Sequence, residues 1–112
     1  MSQITTHILD TSRGKPAKGV LIELFHYHPD QWTSLGQAKT DEDGRVSDLL
    51  LEDHLLAGGM YKLRFDVDGY YQNNNESFYP YVEIAFRVAE GGEHYHIPLL
   101  LNPFGYSTYR GS

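Results

Sequence analysis

The sequence contains no cysteine. That excludes a disulfide framework, a thiolate nucleophile and a cysteine-ligated zinc site, so any nucleophile or metal ligand must come from another residue type. It also lacks an excess of positive charge: nine Lys and Arg stand against fifteen Asp and Glu, a formal charge of -6. No basic face is available to neutralise a phosphate backbone, and nucleic acid is not an expected partner. No apolar run approaches the length of a membrane span. The first residues, Met-Ser-Gln-Ile-Thr-Thr, have neither the basic start nor the apolar stretch of a secretory signal. A soluble, cytoplasmic chain without a membrane partner is therefore the expectation.

What the sequence has in quantity is strand formers. Its 112 residues, 40% hydrophobic with nine Tyr and five Phe, suit one domain spanning 1–112 with a single core. Period-2 runs separated by turn clusters recur along the chain. Residues 4–9 form a candidate strand, ended by the turn formers of 10–16. Residues 20–27 follow, nearly all apolar, as a strand covered on both faces reads. Pro29-Asp30 turns the chain into 32–40. Asp41-Glu42-Asp43-Gly44 reads as a hairpin loop whose glycine supplies a positive φ, with Arg45-Val46-Ser47 beginning the return strand.

The leucine-rich stretch 49–56 fits a short helical turn and an irregular edge equally. Residues 60–67 and 82–88 alternate cleanly, and 68–76 is a polar loop with room for a helical turn. The chain closes on His94-Tyr95-His96-Ile97-Pro98-Leu99-Leu100-Leu101, a Pro/Gly turn, and Tyr106-Ser107-Thr108-Tyr109-Arg110-Gly111-Ser112. Seven or eight short strands at roughly ten-residue spacing are the pattern of an all-β sandwich or barrel.

Alternation assigns faces. Tyr95, Ile97, Leu99 and Leu101 form the core side of their strand, which leaves His94, His96, Pro98 and Leu100 outward. In the first strand Ile4 and Ile8 are core residues with Thr6 between them, so Thr5, His7 and Leu9 point out. His7 and His96 thus share an outer sheet surface with uncovered Leu9, Pro98 and Leu100. A sheet face is too flat to desolvate a small molecule. The economical solution is a second copy of the chain that turns the face into a cleft.

Each of these residues also has an ordinary structural reading. A single exposed histidine is usually only solvated, and Arg45 after a turn glycine is usually a surface charge. His26-Tyr27-His28 and His94-Tyr95-His96 have the i, i+2 spacing of a two-histidine metal half-site. Neither has a carboxylate or cysteine at telling spacing, so no metal is expected. His54 and Asp41-Glu42-Asp43 read as solvated loop residues. Ser107 and Ser112 lack the Gly-x-Ser-x-Gly elbow of a serine hydrolase.

Thr6-His7-Ile8-Leu9-Asp10, Gly14-Lys15-Pro16-Ala17, Thr40-Asp41-Glu42-Asp43-Gly44-Arg45, the run 94–101 and the closing Tyr109-Arg110-Gly111-Ser112 resemble, in order and spacing, the transthyretin-related proteins. These are the 5-hydroxyisourate hydrolases of purine breakdown. The Tyr-Arg-Gly-Ser ending is the most specific mark of the resemblance, and hormone-carrying transthyretins lack both it and the two histidines.

The resemblance implies a transthyretin-like two-sheet sandwich with one short helix after the 60–67 strand. It implies a homotetramer, a dimer of dimers, with the active site at the dimer–dimer interface. His7, Arg45 and His96 would be the catalytic set, and Tyr109, Arg110, Gly111 and Ser112 would shape the substrate site. No metal or organic cofactor is implied. The rival expectations are a transthyretin-like carrier of an aromatic ligand in the same inter-subunit channel, and a plain structural sandwich domain.

Overall fold

The computed structural model describes residues 2–50, 54–72 and 77–112. Nine strands and one helix follow in chain order: β1 Ile4–Asp10, β2 Lys15–Pro16, β3 Leu21–His28, β4 Gln31–Lys39, β5 Arg45–Val46, β6 Gly59–Asp66, α1 Val67–Tyr71, β7 Tyr81–Val88, β8 Tyr95–Asn102 and β9 Gly105–Thr108. The first sheet has the order β2-β1-β8-β9, with β5 also paired to β1. The second has the order β4-β3-β6-β7.

Alternation in each strand feeds one core between the sheets. Ile4, Ile8, Ile97, Leu99 and Leu101 from the first sheet meet Ile22, Leu24, Tyr61, Leu63, Phe65 and Val82 from the second, all buried. Each such side chain contributes about 1.5–3 kcal/mol relative to exposure. Thr6 occupies a core position as a polar residue, and its hydroxyl is satisfied by donating to the Ile97 carbonyl at 2.6 Å. The outer face assigned to His7, Leu9, His96 and Leu100 is half-buried, while Thr5 and Pro98 on that face are buried.

Two expectations need correction. The 20–27 stretch is not covered by core on both faces: Ile22 and Leu24 are buried, whereas Leu21, Glu23 and Phe25 are half-buried. Phe25 is covered from its own sheet, where the Lys62 ammonium lies 5.2 Å from its ring and 4.5 Å from that of Trp32. The second correction concerns Asp41–Gly44, which is a turn between sheets and not a hairpin. β5 pairs with β1, placing His7 opposite Arg45 and Thr6 opposite Val46.

The reason lies in Asp41 and Gly44. The Asp41 carboxylate accepts the Asp43 and Arg45 amides, at 2.9 and 3.0 Å. Gly44, at φ 73°, presses its backbone against Ile8, whose amide donates to the Gly44 carbonyl at 2.8 Å. A Cβ there would collide with the Ile8 carbonyl. The chain is thereby steered onto β1 instead of back along β4.

The short helix follows β6 as the resemblance implied. Asp66 caps it by accepting the Gly69 amide at 3.0 Å, and it buries Val67 and Tyr71. Of the leucine-rich stretch, Leu49, Leu50 and Leu56 are buried without regular structure. Its residues 51–53 and the polar residues 73–76 lie outside the described ones.

The helix is tied to the end of β1 by Asp10, whose carboxylate is fully buried. Burial alone would raise its pKa, but donors from Ser12, Tyr70 and the Arg13 amide outweigh burial and lower it. The Tyr70 hydroxyl donates to it at 2.8 Å, and burial together with that bond pushes the phenol up to about 12. A depressed folded pKa adds stability above the ordinary value of 3.8 and loses it as pH falls through the folded value. Asp10→Asn is therefore expected to cost about 1–3 kcal/mol at neutral pH. Urea unfolding measured at several pH values should show that gap narrowing below about pH 4. A gap constant down to pH 2.5 would refute the assignment.

Candidate active site

β1 and β8 run parallel, and their register sets Thr5 beside His96 and His7 beside Pro98. β5 lies on the other side of β1 and sets Arg45 opposite His7. Three strands distant in sequence thus deliver two histidines and an arginine to one outer face. A cleft of about 260 Å³ opens there, lined by Thr5, Arg45, Ser47, His94, His96 and Ser112 among others. His7 is one step along β1 from this lining. Three larger surface clefts, of about 530, 430 and 320 Å³, contain no histidine.

His96 is the best-held ring. Its Nδ1 lies 2.8 Å from Thr5 Oγ1, and the same hydroxyl lies 2.9 Å from His94 Nε2. The two rings are nearly parallel, 6.4 Å apart. One ring nitrogen of each of His94 and His96 therefore faces the same hydroxyl. Burial is the first cause lowering the His96 pKa below the usual imidazole value. The positive charges of Arg45, His94 and His7 add to it, against a main-chain contact of Thr5 that raises it. The ring is neutral at neutral pH, the state a general base requires.

The C-terminal residues divide between two surfaces. Gly111 pairs with His96, its amide donating to the His96 carbonyl at 2.8 Å. A Cβ on Gly111 would stand 2.6 Å from His96 Cδ2, so the glycine is required by close approach to the imidazole. Ser112 continues into the histidine cleft. Tyr109 and Arg110 instead line a separate cleft of about 320 Å³ with Ile84, Phe86 and Arg87, at the edge between the sheets. Arg110 donates to Glu93 at 2.7 Å and lies 4.7 Å over the Tyr95 ring. Within one chain the structure brings His96, Arg45 and Ser112 together, with His7 adjacent, and holds Arg110 elsewhere.

The remaining candidates lie apart. His26 and His28 belong to the second sheet, their rings 4.3 Å apart, with His26 stacked on Tyr61. Burial, and secondarily the charge of His28, lowers the His26 pKa. Among the described residues no group of three or more His, Cys, Asp or Glu is placed to hold a metal ion. Ser107 stands in β9 opposite Leu100, His54 is exposed, and Asp41 braces the β4–β5 turn. Among the described residues no helix is long and apolar enough to cross a membrane. Sequence reasoning gave Thr5 no role. Its outward position was readable, but its place between two imidazoles depends on the parallel register.

The sequence model of the HIUase/Transthyretin family matches residues 4–111. A Caenorhabditis elegans protein named "Probable 5-hydroxyisourate hydrolase" is 46% identical over 112 residues, covering 99% of this chain and 82% of its own length. The structure of Klebsiella pneumoniae 5-hydroxyisourate hydrolase superposes with a TM-score of 0.84 at 34% identity, over 97% of this chain and 98% of that one. Transthyretin from Sparus aurata superposes with a TM-score of 0.88 at 30% identity, over 99% and 97%. Fold similarity spans both branches of the group, and this chain belongs to the HIUase/Transthyretin family.

Proposed function

We propose that the protein hydrolyses 5-hydroxyisourate to 2-oxo-4-hydroxy-4-carboxy-5-ureidoimidazoline. The observation that carries the reading is the meeting of a neutral, half-buried imidazole, His96, with the fixed cation Arg45 at one cleft. Opening a ring amide with water needs a base for the water and a positive group for the oxyanion that develops. His96 takes a proton from water as the water oxygen adds to the ring carbonyl. Arg45 remains charged and stabilises the oxyanion. The C–N bond then breaks, and the proton passes from His96 to the departing nitrogen. His7, opposite Arg45, orients substrate. Gly111 and Ser112 close the cleft beside His96.

One subunit presents this cleft open to solvent, with half-buried Leu9 and Leu100 alongside. A homotetramer built as a dimer of dimers, with a second copy over this face, would exclude water from it and bring up further groups. Tyr109 and Arg110 enter the substrate site in that assembly. The reading predicts a particle of about four times the 12.8 kDa chain mass.

The carrier reading shares the fold, so the site must separate the two. An apolar hormone would leave the polar groups of His7, His96 and Arg45 unpaired at about 1–3 kcal/mol each.

Three outcomes test the assignment. With substrate generated by urate oxidase, ultraviolet decay should accelerate with the protein present. His96→Ala and His7→Ala should each slow it by about 100-fold or more. A wild-type protein that leaves the spontaneous rate unchanged would end the hydrolase reading. The acid limb of kcat/KM should lie below the ordinary imidazole value of 6.5, because the His96 pKa is lowered. It should move to higher pH in Arg45→Gln, where one source of repulsion is gone, and a limb that stays put argues against His96 as the base. Gly111→Ala should fold yet lose about 100-fold in kcat, because its methyl displaces the imidazole. Wild-type kcat in that variant would show that the ring position is not critical.

A further inference from the structure

Thr5 lies beside His96 in the parallel ladder, and its Oγ1 contacts two imidazole nitrogens at once. A threonine hydroxyl carries one proton, and a neutral imidazole carries one N–H. A chain running through that single oxygen has two arrangements. Either His96 Nδ1–H donates to Thr5 and the hydroxyl donates to His94 Nε2, or both directions are reversed. A base acting from the cleft, as in the hydrolase reading, requires the first: only there does Nε2, the nitrogen not held by Thr5, keep its lone pair. The proton therefore sits on His96 Nδ1, and Nε2 keeps its lone pair on the opposite edge of the ring. Among the described residues, no protein hydrogen bond is made to that nitrogen.

We propose that Thr5 is the positioning residue of this site, holding His96 in its Nδ1–H tautomer so that Nε2 faces the cleft as the base, and coupling it to the surface residue His94. This rests on the hydrolase reading above and extends it to a residue whose hydroxyl is taken up by the two imidazoles. When Nε2 takes a proton, the bond from Nδ1–H to Thr5 and the bond from Thr5 to His94 polarise in the same direction and share the new charge. The groups facing the unit are Arg45 from β5, His7 from β1 and His94 itself. Arg110 is held away by Glu93.

The full-length protein tests this in two independent ways. Nitrogen-15 NMR of the histidine side chains should show His96 protonated at Nδ1 and bare at Nε2. In Thr5→Val, which keeps the shape and loses the hydroxyl, it should show a mixture of tautomers. In turnover, Thr5→Val should lose about tenfold or more in kcat with KM within about twofold, and Thr5→Ser should restore both. His96 protonated at Nε2 in the wild type overturns the proposal, as does a Thr5→Val enzyme with wild-type kcat and pH profile. Failure of Thr5→Ser to restore turnover also overturns it, by assigning the loss to packing of the methyl group. A wild-type protein with the stated tautomer and no turnover would instead sink the hydrolase reading alone.

Discussion

The site and much of the fold depend on the parallel pairing of β1 with β8, two strands from opposite ends of the chain. Seven register pairs, from Ile4 with Tyr95 to Asp10 with Leu101, hold them together. Bringing residues some ninety positions apart into register costs loop-closure entropy that no local interaction repays. The return comes from the buried sides of the same strands, Ile4, Ile8, Ile97 and Leu99, and from the Thr6 hydroxyl on the Ile97 carbonyl. The outer sides of these residues' neighbours are then fixed at no further cost. Thr5 and His96 meet because Ile4, Ile8, Ile97 and Leu99 must be buried.

That coupling explains which features are legible in the amino-acid sequence and which are not. Burial dictates period-2 alternation, so the outward direction of His7 and His96 is legible from Ile8 and Ile97 alone. Register is not legible, because nothing in either strand records its partner. Arg45 illustrates the loss: Asp41–Gly44 has the composition of a hairpin loop, yet Gly44 abuts Ile8 and sends β5 to β1. Local turn chemistry marks the turn and leaves its destination open. Phe25 fails differently. It reads as a core residue because hydrophobicity does not reveal that Lys62 covers it from outside.

Charge is distributed against the average of the molecule. The chain carries -6 overall, yet His7, Arg45, His94 and His96 converge on one face. Burial, with the repulsion of its neighbours added, lowers the His96 pKa and keeps that ring neutral, which leaves Arg45 as the permanent positive charge. A site that must first remove a proton and then stabilise an oxyanion needs both states close together, and alike residues would not supply them. Four histidines would all be neutral and four arginines all charged. The division of labour proposed for residues 45 and 96 follows from their chemistry once β1 has placed them at the same cleft.

The fold alone does not separate hydrolase from carrier, since the sandwich superposes on both. The closing residues bear on the proposed hydrolase site through a steric argument. The chain passes so close to His96 that a Cβ at 111 would enter the imidazole. Glycine at 111 is thus a consequence of having a ring at 96, and Ser112 reaches the cleft because Gly111 is already paired to His96. A protein without the ring would have no such requirement at 111. Gly111 and His96 therefore form one structural unit, in which the glycine keeps the tail against the strand and the imidazole keeps its place between Thr5 and the tail. Arg110, turned the other way toward Glu93 and Tyr95, anchors the preceding residue and fixes the direction in which Gly111 and Ser112 leave.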